Sequence, residues 1–180
     1  MIYLIILRII ENIERLLMMN ESVYIRPLLV EDAATSYKWR NDAEIWRHTE
    51  SRPDRLITEQ MEREWALKVI NDPSRINYAI CLKQSNKYIG NIYLVNVKDG
   101  RGELGIFIGD KDQWGKGYAQ EALLLMKKLA YSEFGVNEIS IGVNKDNVPA
   151  LVTYLKSGAK IQQEGCWIRL LLDNETPELK

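Results

Sequence analysis

The 180-residue sequence predicts one α/β domain of the α+β kind, and three observations predict it. Runs with period-2 alternation are interspersed with segments whose apolar residues recur every three or four positions, so strands and helices share one chain. A strand, a glycine loop and a helix follow directly on one another between Glu103 and Phe134, and the other elements are arranged around them. No Pro/Gly/Ser-rich linker and no internal repeat divides residues 21–180.

Residues 1–20 form an apolar extension in which Ile2, Ile5, Ile6, Ile9, Ile10, Ile13, Leu16 and Leu17 share a helical stripe. Arg8, Glu11, Glu14 and Arg15 interrupt it too early for a membrane span, and a secretory signal would need flanks that are missing. It reads as an appended helix packing on the body or on a second subunit in a homodimer, or as the product of a start codon placed before Met18 and Met19. Val23–Leu28 has strand composition with Pro27 at an edge or end. Glu31–Arg40 reads as a helix with an acidic first turn, and Thr58–Ile70 as a second one. Residues 77–82 and 88–96 alternate as a hairpin through Gln84-Ser85-Asn86, and the turn 98–102 leads into strand 103–109. In that strand Leu104, Ile106 and Ile108 take one face and Glu103, Gly105 and Phe107 the other. Helix 117–134 stops at Gly135, and Ile139, Ile141 and Val143 mark another strand. Asn147 caps helix 148–157, with Pro149 in its first turn and Gly158 at its end; a last strand follows Gly165, and 174–180 is a loose end.

With 24 basic and 25 acidic residues the chain has no bias toward nucleic acid or an anionic membrane surface. Cys81 and Cys166 lie far apart without metal-ligand spacing, which suits a reducing cytoplasm. His48 is the only histidine, so multi-histidine metal sites and ordinary Ser-His-Asp triads are disfavoured, and no metal is expected.

The chemistry-bearing stretch is Trp114-Gly115-Lys116-Gly117-Tyr118-Ala119. Two glycines at a helix start leave backbone N–H groups free and let another group approach the main chain, which makes an anion cradle, most naturally for phosphate. The glycines could also serve tightness alone. A Walker loop needs a longer spacing, and a dinucleotide fingerprint needs a third glycine. The spacing resembles the acyl-CoA pyrophosphate loop of the GCN5-related N-acetyltransferases, Arg/Gln-x-x-Gly-x-Gly/Ala, with Gly117 and Ala119 at its last two positions. Trp114 replaces the Arg/Gln, as in the branch that includes the ribosomal-protein N-acetyltransferases. Asn147, Ala150, Tyr154, Lys156 and Gly158 match a second motif of that family, although Ala159 stands where it usually has Phe.

The resemblance implies a mixed, mostly antiparallel sheet whose fourth and fifth strands run parallel and splay apart around acetyl-CoA. It gives Phe107, Ile108 and Gly109 to the pantetheine arm, Trp114, Gly115, Lys116, Gly117, Tyr118 and Ala119 to the pyrophosphate, and Asn147 and Lys156 to the rest of the cofactor site. Tyr154 matches the family's proton donor toward the leaving thiolate, and Glu103 matches an acidic residue suited to act as base through water, with His48 a weaker candidate. Packing for Tyr154 and solvation for Glu103 are the alternatives. Trp39, Arg40 and Asn41 resemble a cluster in some aminosugar N-acetyltransferases, so a small amine such as an amino sugar is the expected acceptor. A protein N-terminus, a polyamine or an aminoglycoside is the alternative acceptor, and an acyl-CoA-binding module without catalysis the alternative function.

Overall fold

The computed structural model describes residues 22–49 and 53–173, so the expectations on residues 1–20 and 174–180 lie outside it. Its strands are β1 (Val23–Pro27), β2 (Ile76–Leu82), β3 (Tyr88–Lys98), β4 (Arg101–Ile108), β5 (Glu138–Asn144), β6 (Lys160–Gln163) and β7 (Trp167–Asp173). The helices are α1 (Ala33–Arg40), α2 (Glu59–Ile70), α3 (Tyr118–Glu133) and α4 (Val148–Lys156). The strands form one seven-stranded sheet in the order β1-β2-β3-β4-β5-β7-β6. Every neighbouring pair is antiparallel except β4 and β5, which are parallel.

Local chemistry explains the boundaries. Thr58 Oγ1 accepts the N–H of Met61 at 3.2 Å and caps α2. Asn147 Oδ1 accepts the N–H of Ala150 at 3.3 Å and caps α4. The β3–β4 connection turns on Asp99 (φ 50°) and Gly100 (φ 74°) between the paired Lys98 and Arg101. Two positive φ angles there give the tight hairpin turn whose twist suits its strands. Before α1 a 3-10 turn, Val30–Asp32, takes up the first residues assigned to the helix by sequence. Asp32 is drawn into it by Arg26, paired at 2.6 Å, and by the Leu29 N–H at 2.9 Å.

The sheet buries both faces. On one, Leu104, Ile106 and Ile108 join Ile80, Ile92, Leu94, Leu123, Met126 and Ile141 beneath α3 and α4. On the other, Leu28, Ala79 and Cys81 meet Val69 and Trp65 of α2. β6 was not expected: its residues are all exposed and only Ile161 among them is apolar, so it carries no alternation. No helix among the described residues is long and apolar enough to cross a membrane.

Candidate active site

The glycine loop delivers its backbone donors at the start of α3. Gly115 (φ 74°) and Gly117 (φ 83°) are both left-handed, and a Cβ on either would meet nothing within 4 Å. Glycine is therefore required by backbone conformation, and the space above it is open. Gln120 and Glu121 donate to the Gly117 carbonyl, but the N–H groups of Gly115, Lys116, Gly117, Tyr118 and Ala119 have no partner among the described residues. These orphan donors add to the positive end of the 16-residue helix and make a site for an anion. The acid of the first turn does not occupy it, because Glu121 Oε2 accepts the N–H groups of Ser22 (2.7 Å) and Val23 (3.2 Å). Trp114 closes the loop onto the end of β4 by donating its indole N–H to the Ile108 carbonyl at 2.7 Å, and Lys116 bonds Gln113 at 3.0 Å.

Next to the cradle the sheet opens. β4 and β5 pair only from Arg101–Glu138 to Leu104–Ile141. Beyond that, residues 105–108 pair with β3 and residues 142–144 with β7, which leaves a slot between the parallel strands. Tyr154 of α4 is 6% exposed. Burial, with the nearby Tyr93 phenol adding to it, pushes its hydroxyl up to about 12. Asn147 spends its side-chain oxygen on the helix cap, and Lys156 is exposed in the last turn.

Glu103, Gly105 and Phe107 share the opposite face, as the alternation predicts. The Tyr93 ring lies across Gly105, where a Cβ would come within 2.3 Å of it, and the Trp39 ring lies as closely on Gly109. Trp39 also packs on Tyr88 (4.7 Å) and Phe107 (6.1 Å), while Trp46 meets Phe107 at 5.1 Å. Trp39 is thus 9% exposed, with its indole engaged by protein. Asn41 ties the end of α1 to the following loop, donating to the Tyr37 and Ile57 carbonyls and accepting the Ile57 N–H, each at 2.8 Å. Arg40, Asn41 and Trp46 line an open cavity of about 340 Å³. Glu103 is exposed, accepts from Asn96 at 3.4 Å and lines a second cavity of about 460 Å³ with Ser140 and Arg169. His48 lines neither.

Residues 22–160 match the family described as the acetyltransferase (GNAT) domain. The chain belongs to the GNAT acetyltransferase family. It is an N-acetyltransferase, and its sheet with one parallel pair is the GNAT fold. The uncharacterized N-acetyltransferase p20 of Bacillus licheniformis is 25% identical over 152 residues, covering 81% of this chain and 82% of the relative. Spermidine N-acetyltransferase from Vibrio cholerae, solved with CoA and spermine, matches with TM-score 0.76 and 18% identity over 86% of this chain and 96% of its own. Mycobacterium smegmatis RimJ, in complex with CoA-disulfide, matches with TM-score 0.74 and 14% identity, covering 84% and 82%.

Three residues beside the candidate site escaped the sequence reading: Tyr93, Trp46 and Arg75. Arg75 lies over the Tyr93 ring at 5.6 Å. The one available signal was an aromatic directly across from a glycine, Tyr93 opposite Gly105, which is visible only once the strand register is known.

Proposed function

We propose that the protein moves the acetyl group of acetyl-CoA to the primary amine of a small molecule such as an amino sugar. The observation that carries this reading is the open cradle, five N–H groups from Gly115 to Ala119 without a partner among the described residues, at the mouth of the slot between β4 and β5. A pyrophosphate fits the cradle's charge and openness, and the free edges of β4 beyond Leu104 suit an amide-bearing arm such as pantetheine. Bound acetyl-CoA supplies the acetyl group already activated as a thioester.

The chain's own residues then handle two protons. The acceptor amine is an ammonium at neutral pH, and exposed Glu103 takes its proton through a water. Tyr154 faces the opposite task, giving a hydrogen to the departing sulfur. With its hydroxyl held up to about 12, against an ordinary thiol near 8.5, it acts as a hydrogen-bond donor to the thiolate rather than as a strong acid. The acceptor lies by Arg40 and Asn41, with Trp39 packed beneath them. Buried Cys81 and exposed Cys166, both unpaired, suit a reducing cytoplasm.

The test is thiol release from acetyl-CoA with amino sugars, polyamines, aminoglycosides and short peptides, beside thermal shift with CoA. Turnover on amino sugars is expected. Stabilisation by CoA without turnover on any amine would replace the enzyme by a binding module. Turnover on polyamines or peptides with none on amino sugars would retire the sugar reading.

A further inference from the structure

We infer that Arg40 and Arg75 make the acceptor side of this site a receptor for an amine that also carries an anion, a carboxylate or a phosphate, away from the reacting nitrogen. The inference rests on the acetyl-transfer reading above and names the class of its acceptor.

Arg40 ends α1, and its guanidinium is clamped between two indoles, 4.8 Å from the Trp46 ring and 5.5 Å from that of Trp65. Its nearest carboxylate, Glu62, stands 3.7 Å from Nε, beyond hydrogen-bond range, and Glu62 already accepts from Ser36 at 2.9 Å. The Arg40 Nε is buried with no hydrogen-bond partner among the described residues, and the same is true of the Arg75 Nε. A guanidinium is a fork of five donors, and a buried donor left unmade costs more than a made one returns. The buried Nε atoms are out of a ligand's reach, but Arg40 lines the open cavity with its side chain 23% exposed, so its terminal nitrogens can meet a partner that the protein itself does not supply. A planar or tetrahedral anion meets such a fork with two parallel hydrogen bonds.

Placement and charge agree. Arg40 lines the cavity against Trp46, which packs on Phe107 of β4. Arg75 lies over Tyr93, and Tyr93 covers Gly105 where β4 parts from β5. The cavity is also lined by Asp54 and Arg55, which pair with each other at 3.1 Å at an exposed rim. Glu62 is 3% exposed behind Arg40. The inner wall thus presents guanidinium, and Glu103 stands on the same β4 face as Gly105 and Phe107, at the second cavity. An acceptor with an ammonium at one end and an anion at the other is complementary to both; a polyamine, cationic at every end, meets repulsion at Arg40.

The experiment uses four amines of one length: butylamine, 4-aminobutanoate, 3-aminopropylphosphonate and putrescine. Thiol release from acetyl-CoA gives kcat/KM for each, and calorimetry in the presence of CoA gives their binding. The two anionic amines should exceed butylamine by tenfold or more, with putrescine below it, and their relative rank separates a carboxylate site from a phosphate site. Arg40→Gln should bring the anionic preference below threefold with CoA affinity unchanged. Arg40→Lys keeps the charge facing Glu62, guards against misfolding, and should lose most of the preference with the planar fork. Butylamine or putrescine performing as well as the anionic pair overturns the inference, and so does a preference that survives both Arg40→Gln and Arg75→Gln. Anion binding lost in the Arg40 variants, with no turnover on any amine, would support the receptor and refute acetyl transfer. Neither binding nor turnover of the anionic amines would overturn the inference.

Discussion

Replacing Gly117 by valine separates the cradle's role in binding from its role in folding. Gly117 has φ 83° and open space where a Cβ would stand, so the added Cβ meets nothing in the free protein. It must still hold a β-branched residue in the left-handed region, at about 1–2 kcal/mol. For a chain of this size that lowers Tm by about 2–8 °C. The methyl groups also stand where an anion would reach the N–H groups of Tyr118 and Ala119. Losing one charge-assisted hydrogen bond costs about 1.5–3 kcal/mol, or roughly 10- to 150-fold in CoA affinity. Gly135→Val is the control, since Gly135 is also left-handed (φ 63°) with nothing near its Cβ. It lies past the far end of the 16-residue α3, on the order of 24 Å from the loop at the usual helical rise. Calorimetry with CoA and thermal melts of both variants read the two effects. Equal loss of Tm with CoA binding lost only in Gly117→Val is the expected result. Wild-type CoA affinity in a folded Gly117→Val would remove the loop from the site, and equal affinity loss in both variants would make the effect global.

Tyr154→Phe should cut turnover by about 10²- to 10⁴-fold with CoA affinity intact; single-turnover assays showing wild-type chemistry would leave Tyr154 a packing residue. Tyr154 keeps its proton in the fold up to about 12 against an ordinary 10.0. Its contribution to stability is therefore complete below pH 10 and is lost as pH rises from 10 to 12, by about 2–3 kcal/mol, as the unfolded chain ionises first. Denaturant titrations across that range should show the decline, and Tyr154→Phe should make it shallower. Gly109→Ala drives a Cβ to 2.0 Å from the Trp39 ring, an overpacking worth about 1–3 kcal/mol; an unchanged denaturation midpoint would mean that Trp39 moves aside freely. Trp39→Ala should cost about 3–5 kcal/mol, measured the same way, whatever it does to the acceptor.

Elements with a strong period or a chemical boundary were legible in the sequence. The alternation in β4 assigned Leu104 and Phe107 to opposite faces, and Thr58, Asn147 and Gly135 sit where the ends of helices need them. The exposed β6 lacked any such period. The cradle could be read because its physics is local: positive φ and orphan N–H groups follow from glycines at a helix start. The acceptor side could not be, because it depends on separations along the chain. Arg40 reaches its character only through Trp46, Glu62 and Trp65, and Tyr93 only through the register that sets it against Gly105. Trp39 was visible as an aromatic at a helix end, yet nothing local distinguishes an indole that packs on Tyr88 and Gly109 from one that faces solvent.

The parallel pairing of β4 with β5 spans only Arg101–Glu138 to Leu104–Ile141. Mechanically the sheet is two plates, β1-β2-β3-β4 and β5-β7-β6, sewn together along one short edge. A molecule seated between the plates acts as a staple along the unsewn part. Its affinity is then spent partly on the sheet itself, and saturation at about 100 times Kd adds about 2.7 kcal/mol to the folded state. Amide hydrogens of residues 105–108 and 142–144 on the strand edges facing the gap should slow in proportion to occupancy. The width of the gap becomes a property of the filled protein rather than of the empty one.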